Sequence, residues 1–282
     1  MGKLIACLMM VLMSMSVWSY RHYQAPLGDE KWRANGNRLR CGLSLNVPEF
    51  GTAYFEQYAA KEPHFIMTKW QQVPRRLATT IRARSPQWKP DQRRKFITTT
   101  AIKPGKYGIF LRRDKSLKVL NTLRAGYKTQ FNYRSDLGDE VFVDLSPVHF
   151  QPAFNKYMKC VGNLLPFDFD MVRHTTLYYG SNDTLLNDEA MRQLDRIRLY
   201  VLVDKRVRKV AIVGYTDSGG RNGYNNAISQ LRAEGAKNYL LRRGVPERLI
   251  NITWYGQKRP AASNKTAQGQ ALNRRVVIDI YK

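Results

Sequence analysis

Residues 213–220 of this 282-residue chain read Val213-Gly214-Tyr215-Thr216-Asp217-Ser218-Gly219-Gly220. The pattern predicts that an apolar strand runs into a turn, and that a helix begins soon after it, near Tyr224. Asp217 lies in the turn, and Arg232 follows it by fifteen residues, about two turns into the predicted helix. This spacing predicts that one carboxylate and one guanidinium lie close enough together to hold a zwitterion between them.

The residues on both sides of this stretch alternate between predicted strands and helices. The predicted strands are Thr175–Tyr179, Val210–Tyr215, Ile250–Tyr255 and Val276–Tyr281. Between them lie a helix capped near Asn187 and a second helix, Tyr224–Arg243, which Gly244 ends. This βαβαββ order, with parallel crossovers and a late added strand, predicts a two-layer α/β sandwich.

A larger set of positions around Asp217 and Arg232 follows one pattern in a fixed order. It comprises Gly214-Tyr215-Thr216-Asp217, Asn225, Ile228-Ser229, Arg232-Ala233, Tyr239-Leu240, Gly244-Val245, Arg248-Leu249, Tyr255-Gly256-Gln257, Pro260, Asn264 and Asn273-Arg274-Arg275-Val276. With these residues, the chain from Thr175 to Tyr281 resembles the OmpA C-terminal family of peptidoglycan-binding domains. The resemblance implies that Asp217 and Arg232 bind the diaminopimelate of the peptidoglycan stem peptide. Gln257 and Gln270 depart from the family pattern, which usually has Glu and often has Arg at these two positions.

The side chains of the predicted site suit such a ligand. The planar fork of Arg232 can bind a carboxylate through two parallel hydrogen bonds, and Asp217 can accept from an ammonium or from backbone amides. Asn225 lies in the first turn of the predicted helix, where it either caps the helix or contacts the ligand. Thr216 and Arg275 are further candidates for contact with peptidoglycan. The alternative is that Arg232 is bonded to Asp217 within the protein and no ligand binds.

The first nineteen residues predict a secretory signal peptide. Lys3 is followed by the uncharged apolar run Leu4–Trp18, and we place the cleavage site after Ser19. The run is shorter than the roughly 20 residues of a membrane-spanning helix. An uncleaved anchor, or lipid attachment at Cys7, is the alternative. No later segment is apolar enough to span a membrane, so we predict an exported, periplasmic protein.

The chain is strongly basic, with a formal net charge of +25. Such a charge favours an acidic partner. The export signal argues against nucleic acid, which leaves the carboxylates of peptidoglycan and anionic lipid head groups. A basic surface that is merely solvated is the alternative.

Residues 20–150 predict an antiparallel β domain with irregular basic loops. They are rich in aromatic and β-branched residues broken by Gly and Pro, as in Gly51–Phe55 and Tyr107–Leu111. Glu140–Leu145 alternates polar and apolar residues, as a half-buried strand does. Apolar residues at helical spacing then follow Pro152, which predicts a helix that Pro166 ends.

Two cysteines remain after the predicted cleavage, Cys41 and Cys160, and Cys160 lies on this predicted helix. An even pair in an exported chain predicts one disulfide, and two buried free thiols are the alternative. The histidines are scattered and form no ligand cluster with the cysteines, so we predict neither a metal site nor a cofactor. No paired-carboxylate or Cys–His arrangement indicates an enzyme.

The first part of the chain, from Tyr20 to Asp170, differs from the OmpA pattern. With Cys41, the segment Ser85-Pro86-Gln87-Trp88-Lys89-Pro90 and Cys160, it resembles the MotY family, whose members form the T ring of flagellar motors. The order of parts also matches: a signal peptide (residues 1–19), a β-rich domain with a C-terminal helix (20–170) and an OmpA-like domain (171–282).

The MotY resemblance implies a structural component of the flagellar motor that is not an enzyme. It would bind peptidoglycan through its second domain and dock on the flagellar basal body through its first domain, together with a MotX-like protein. It would also support assembly of the stator complex. The alternative is a general envelope protein that tethers the outer membrane or another complex to peptidoglycan and has no role in the motor.

Overall fold

A computed structural model describes residues 20–86 and 94–282 of the chain. The predicted signal peptide and residues 87–90 of the Ser85–Pro90 segment lie outside the described residues. The chain divides into two compact units that interleave in sequence. The N-terminal unit contains the described residues of Met1–Arg33, Ser44–Phe55 and His64–Phe154, and the C-terminal unit contains Ala34–Leu43, Glu56–Pro63 and Asn155–Lys282.

The first half of the chain is rich in β-structure, as its composition predicts. Its strands are β1 (Tyr20–Tyr23), β2 (Arg33–Gly36), β3 (Arg40–Val47), β4 (Gly51–Tyr58), β5 (His64–Thr68), β6 (Leu77–Arg84), β7 (Arg94–Ile102), β8 (Tyr107–Leu111), β9 (Lys128–Arg134) and β10 (Glu140–Leu145). They form two five-stranded sheets, with the orders β1-β10-β9-β6-β7 and β2-β3-β4-β5-β8. Strand β10 pairs with β9, β9 with β6, β6 with β7 and β5 with β8 in the predicted antiparallel sense. Strand β1 departs from the prediction, because it pairs with β10 in parallel.

Aromatic side chains form the core of the N-terminal unit. The Phe65 ring lies 4.9 Å from that of Phe55 and 5.6 Å from that of Phe131, and all three are almost completely buried. Trp32 is also buried, and its indole N–H donates to the carbonyl of Ser146 at 2.8 Å. Burying these large rings supplies much of the apolar area that stabilises the unit.

Helix α1 (Arg113–Arg124) lies within the region that we predicted as an antiparallel β domain, and it was not predicted. Its buried residues, Ser116, Val119, Leu120 and Leu123, recur at helical spacing. Gly126, which follows the helix with a φ of 77°, is a second sequence signal that predicts its end. These two signals make the helix detectable from the sequence.

The helix predicted after Pro152 is α2 (Phe150–Gly162). It begins two residues before Pro152 and ends before Pro166, so Leu165 lies beyond it and is buried as part of the following segment. Cys160 lies on α2, and the structure joins it to Cys41 in a disulfide with a Cα–Cα distance of 5.9 Å. Both cysteines belong to the C-terminal unit, so the disulfide fastens Ala34–Leu43 to the remainder of that unit.

The C-terminal unit contains the predicted α/β sandwich. Its regular elements are α3 (Phe169–Val172), β11 (His174–Tyr178), α4 (Asp188–Val203), β12 (Lys209–Gly214), α5 (Asn222–Arg242), β13 (Ile250–Trp254), α6 (Ala267–Asn273) and β14 (Arg275–Tyr281). Asn187 caps α4, since its side chain accepts a hydrogen bond from the backbone of Ala190 at 2.8 Å. Gly244 follows α5 with a φ of 88°, a conformation that glycine adopts without strain. The short helices α3 and α6 were not predicted.

The four strands of this unit form one sheet with the order β11-β14-β12-β13. Strands β12 and β13 are parallel, as the crossover through α5 requires, and β14 is antiparallel to both β11 and β12. The last strand therefore lies between β11 and β12, a position that its late place in the sequence does not reveal.

The core of the C-terminal unit joins the apolar face of this sheet to helices α4 and α5. It includes Leu177, Leu194, Ile197, Val210, Ile212, Ala233, Ala236, Leu240, Val276 and Ile278. Gly214 makes the closest approach, because a Cβ added there would lie only 2.0 Å from the carbonyl oxygen of Ser229. Only glycine lets α5 pack this tightly against the end of β12. Among the described residues, no helix combines the length and the apolar composition that crossing a bilayer requires.

Candidate functional site

The candidate site lies at one edge of the C-terminal sheet. Strands β11, β12 and β13 run in the same direction, and β14 runs against them, so three strands end where β14 begins. The loops that follow these three strands and the start of β14 therefore come together. The predicted residues Thr216, Asp217, Asn225, Arg232 and Arg275 all belong to this edge or to the first half of α5.

Asp217 lies in the loop after β12 and carries the carboxylate of the site. Its Oδ1 accepts a hydrogen bond from the backbone N–H of Gly219 at 3.1 Å. Its Oδ2 forms an ion pair with Nη1 of Arg274 at 2.9 Å. The two side chains are 15% and 17% exposed, so the pair is accessible to a ligand from solvent.

Arg274 was part of the sequence pattern but not among our predicted site residues. The structure pairs it with the carboxylate of Asp217. Its Nε also donates to the carbonyl of Tyr179 at 3.2 Å, so Arg274 connects the loop after β11 to the loop after β12. The signal that could have identified it is its place in Asn273-Arg274-Arg275, just before a strand that must return to the same edge.

Arg232 lies on the buried face of α5 and is only 1% exposed. Its guanidinium donates to three backbone carbonyls, those of Asp183 at 2.8 Å, Gly180 at 3.1 Å and Tyr215 at 3.2 Å. It also lies 4.9 Å from the centre of the Tyr179 ring. Arg232 therefore fixes the loops after β11 and β12 to each other, and its hydrogen bonds are to the backbone rather than to the Asp217 carboxylate.

Burial shapes the electrostatics around Arg232. Desolvation lowers the pKa of the Arg232 guanidinium, while the nearby Tyr179 and Asp217 favour its charged form. Burial also raises the pKa of the Tyr179 phenol, which keeps that ring neutral. Because arginine starts from a pKa above about 12, Arg232 remains a cation beneath the site.

Asn225 is 3% exposed and organises the loop after β12. Its amide N–H₂ donates to the carbonyl of Asp217 at 3.3 Å and to Oε1 of Gln257 at 2.8 Å. Helix α5 begins at Asn222 after Arg221, which makes no side-chain capping bond, so Asn225 does not cap the helix. Gln257, which stands where the OmpA pattern usually has Glu, is thus a partner of Asn225 inside the protein.

Thr216 and Arg275 are buried and each carries one polar side-chain atom without a hydrogen-bond partner among the described residues. These atoms are Oγ1 of Thr216 and Nη1 of Arg275. The Arg275 guanidinium stacks 3.9 Å from the centre of the Tyr215 ring, and its Nη2 donates to the carbonyl of Arg259 at 3.1 Å. Since buried polar atoms normally find a partner, these two are exceptions at this end of the sheet.

Two asparagines that we did not assign to the site, Asn264 and Asn273, hold the segment of residues 261–264 in place beside it. Asn273 is fully buried, and its Oδ1 accepts from the backbone N–H groups of Ala261 at 2.7 Å and Ala262 at 3.0 Å. Its N–H₂ group donates to Oδ1 of Asn264 at 2.8 Å, and the same oxygen accepts from the backbone of Ser218 at 3.3 Å. This network fixes the residues on either side of the Asp217–Arg274 pair.

The arrangement therefore combines one accessible carboxylate with one accessible guanidinium, above a second, buried guanidinium. Charges of both signs at this separation complement a ligand that carries an ammonium and a carboxylate. Arg275 is not brought to this pair, since its guanidinium contacts the Tyr215 ring and the carbonyl of Arg259.

Comparison with known proteins bears on both parts of the chain. Residues 23–166 match the family described as MotY N-terminal domain, and residues 178–274 match the OmpA family. The sodium-type flagellar protein MotY of Vibrio parahaemolyticus is 28% identical over 265 residues, which cover 92% of this chain and 90% of that protein.

Two peptidoglycan-associated lipoproteins are similar to the second part alone. That of Buchnera aphidicola is 30% identical over 138 residues, which cover 47% of this chain and 79% of the lipoprotein. The crystal structure of the peptidoglycan-associated lipoprotein from Burkholderia pseudomallei matches 38% of this chain and 89% of the lipoprotein chain, with 24% sequence identity and a TM-score of 0.36. Because the MotY N-terminal match spans half of the chain and the OmpA match follows it, the chain belongs to the MotY family and carries an OmpA family domain in its second part.

Proposed function

We propose that this protein is a structural component of the flagellar motor, part of the periplasmic T ring, which anchors to peptidoglycan through its OmpA-like domain. Its N-terminal domain, residues 20–170, docks on the basal body together with a MotX-like protein, and the anchored ring supports assembly of the stator complex. The observation that carries the proposal is that a MotY N-terminal domain and an OmpA family domain occur in one chain.

The proposed peptidoglycan site consists of Asp217, Arg232, Asn225, Thr216 and Arg275. Asp217 accepts from the ammonium of diaminopimelate, because its carboxylate is accessible and already oriented by Gly219. Arg232 supplies buried positive charge and holds the loops after β11 and β12 in their binding conformation. Asn225 keeps the loop after β12 folded, and Thr216 and Arg275 complete the set from buried positions.

The first test is co-sedimentation of the chain of residues 20–282 with purified peptidoglycan sacculi. We expect Asp217→Asn, which keeps the shape of the side chain and removes its charge, to weaken binding at least tenfold. Asp188→Asn is the matched control, since Asp188 is an exposed acid in the first turn of α4. At about 0.15 M salt the screening length is about 8 Å, so non-specific attraction of the basic surface is reduced while the site still binds.

Equal sedimentation of the wild type and both variants, abolished by added salt, would contradict a specific site. The net charge of +25 would then be sufficient to explain the association. Salt-resistant binding that only Asp217→Asn loses is the expected result.

The second test separates the motor role from a general tethering role in the envelope. We expect a deletion strain to assemble flagella and fail to swim, and a fluorescent fusion to localise at the flagellar bases. Uniform envelope fluorescence together with normal swimming would favour the alternative, a general OmpA-like tether. Both readings share peptidoglycan binding, so only the N-terminal part of the chain discriminates between them.

A further inference from the structure

We propose that a groove in the N-terminal unit is a docking surface for an acidic protein segment with apolar anchor side chains. One wall of the groove is Lys95–Ile97 of β7, and the other is the face of α1 that carries Lys118, Thr122 and Ala125. The inference rests on the proposed docking role of the N-terminal domain, and it names the surface and the chemistry of the partner. The groove shares no residue with the proposed peptidoglycan site.

The groove has the size and the accessibility of a binding site. Its volume is about 610 Å³, which lies within the roughly 300–1,000 Å³ of sites that enclose a ligand. Lys118, Thr122 and Ala125 occupy helix positions i, i+4 and i+7, so their side chains form one continuous wall. Among the described strands, β7 is the last of its sheet, and an edge strand has no neighbour on its outer side.

Apolar side chains line the groove and remain accessible to a partner. Phe96 is 60% exposed, Ala125 is exposed and Ile97 is half-buried. Single exposed apolar residues are normal on a protein surface, but three that share one concave site form the pattern of an interaction surface. A partner side chain that enters the groove removes this apolar area from water, and the hydrophobic effect then stabilises the complex.

The groove is also strongly basic. Lys95 and Lys118 line it with exposed side chains, and neither forms an ion pair with an acid among the described residues. Both walls belong to the stretch Arg94–Arg134, which contains eleven basic residues and a single acidic one, Asp114. A concave site with low-dielectric walls and charges of one sign concentrates the electric field, so it attracts segments of the opposite charge.

This charge decides among three kinds of occupant. A second copy of the chain also carries a net charge of +25, so it is repelled by the groove. A neutral apolar segment would exclude water from Lys95 and Lys118 without giving either a partner, which costs free energy. An acidic segment provides carboxylates for both lysines while its apolar side chains contact Phe96 and Ile97. The partner that fits is therefore a protein segment in which acidic residues alternate with aromatic or branched aliphatic ones.

The first test measures the fluorescence anisotropy of a labelled peptide with the chain of residues 20–282. The peptide contains two phenylalanines and one leucine, spaced among six acidic residues. One control peptide has asparagine and glutamine in place of the acids, and the other has alanine in place of the three apolar residues. At about 0.15 M salt, where the screening length is about 8 Å, the acidic apolar peptide should bind at least about tenfold more tightly than either control.

Charge reversal then locates the binding in the groove. Lys95→Glu/Lys118→Glu should weaken binding of the acidic apolar peptide at least about tenfold, because carboxylates then face carboxylates. Lys103→Glu/Lys106→Glu is the matched control, since it changes the net charge equally through two exposed residues of the turn between β7 and β8. This control should change the affinity by less than about twofold, because its charges lie outside the groove.

An apolar variant provides a second readout that leaves the charge unchanged. Phe96→Ser should weaken binding of the same peptide about three- to tenfold, because it removes apolar contact area. Phe96 is mostly exposed, so its replacement should leave the fold intact. Tyr107→Ser is the matched control, since Tyr107 is an exposed aromatic residue of β8 outside the groove, and it should bind like the wild type.

Three results would overturn the inference. Equal affinity for the two acidic peptides, or an equal loss in both charge-reversal variants, would mean that net charge alone explains the association. Failure of the wild type to bind the acidic apolar peptide would exclude the proposed partner chemistry. Self-association of the wild type in sedimentation velocity, abolished by Phe96→Ser, would make a second copy of the chain the occupant.

Localisation in cells separates this inference from the proposed function. A fluorescent fusion of Lys95→Glu/Lys118→Glu should lose its place at the flagellar bases, while the purified variant still sediments with sacculi. A variant fusion that stays at the flagellar bases and supports swimming would overturn the inference and leave the proposed function intact. A deletion strain that swims normally would overturn the proposed motor role, and this inference with it.

Discussion

Replacement of Arg232 by alanine tests whether this residue is a structural element of the site. The substitution removes a buried cation that donates to the carbonyls of Gly180, Asp183 and Tyr215, and it leaves those oxygens without this donor. Hydrogen bonds from charged groups contribute about 1.5–3 kcal/mol each, but the guanidinium also loses its hydration when the protein folds, which offsets part of the sum. Removing one partner from a buried charged network typically costs about 3–5 kcal/mol, and we expect a value in this range.

A loss of that size is a large fraction of the roughly 5–15 kcal/mol by which proteins are stable. For a protein of this size, each kcal/mol lowers the unfolding midpoint by about 2–4 °C, so Arg232→Ala should unfold about 6–20 °C below the wild type. The measurement is thermal unfolding of the chain of residues 20–282, followed by far-ultraviolet circular dichroism at neutral pH.

The matched control is Arg242→Ala, which removes an exposed arginine from the last turn of the same helix. Exposed substitutions of this kind change stability by about 0.5 kcal/mol or less. If Arg232→Ala and Arg242→Ala unfold at the same temperature, the buried guanidinium does not hold the loops together, and the positioning role that we assign to it is refuted.

Three further predictions concern the stability of the C-terminal unit. Burial alone would raise the pKa of Asp204, but hydrogen bonds from Arg206, Lys282 and Tyr200 outweigh it and hold this pKa well below its usual value. A depressed carboxylate pKa stabilises the fold at pH values above the unfolded-state pKa of about 4, and this stabilisation is lost as the pH falls below it. Urea unfolding should therefore show that Asp204→Asn is about 1.5–3 kcal/mol less stable than the wild type at pH 7. The difference in stability should shrink between about pH 4 and pH 2. A difference that stays constant down to pH 2 would contradict this account. The Cys41→Ser/Cys160→Ser double variant should lose about 2–5 kcal/mol, as loss of a native disulfide typically costs, and adding reductant to the variant should have no further effect. Gly214→Ala should lose about 1–3 kcal/mol, because the added methyl group overlaps the backbone of α5. Gly235→Ala within α5 should gain about 0.5–1 kcal/mol, because its Cβ would lie 3.7 Å from the carbonyl oxygen of Thr184, the nearest atom outside the backbone of α5. Equal unfolding midpoints for the two glycine variants would show that the contact at Gly214 is not tight.

Much of the fold was predictable because its signals are local. The apolar runs at Val210–Tyr215 and Val276–Tyr281, the cap at Asn187 and the glycine at position 244 each report on a few neighbouring residues, and each corresponds to an observed element. Helices α1, α3 and α6 were missed, the two short ones for a different reason from α1. Helix α1 lies between strands in a region whose composition favours β-structure, whereas α3 has only four residues and α6 only seven, too few for a periodic pattern to be evident.

The site was predictable only in part, because its contacts join residues that are far apart in sequence. The pattern placed Asp217 in the turn after a strand, and Asn225 and Arg232 in the helix that follows, and the structure has them there. It did not reveal that Arg274, 57 positions from Asp217, is the partner of that carboxylate. That pairing requires β14 to lie between β11 and β12, which depends on the pairing of strands across the sheet rather than on local sequence.

The sequence by itself thus determined the order of the elements, the family pattern and the residue types available for binding, since these follow from short-range periodicity and matched positions. Tertiary structure alone decided which arginine is buried and which is accessible. Arg232 and Arg274 are chemically identical, and only the packing of the loop after β11 over α5 covers the first with carbonyl groups and leaves the second open to solvent. Burial is a property of everything that packs around a side chain, and no single stretch of sequence contains it.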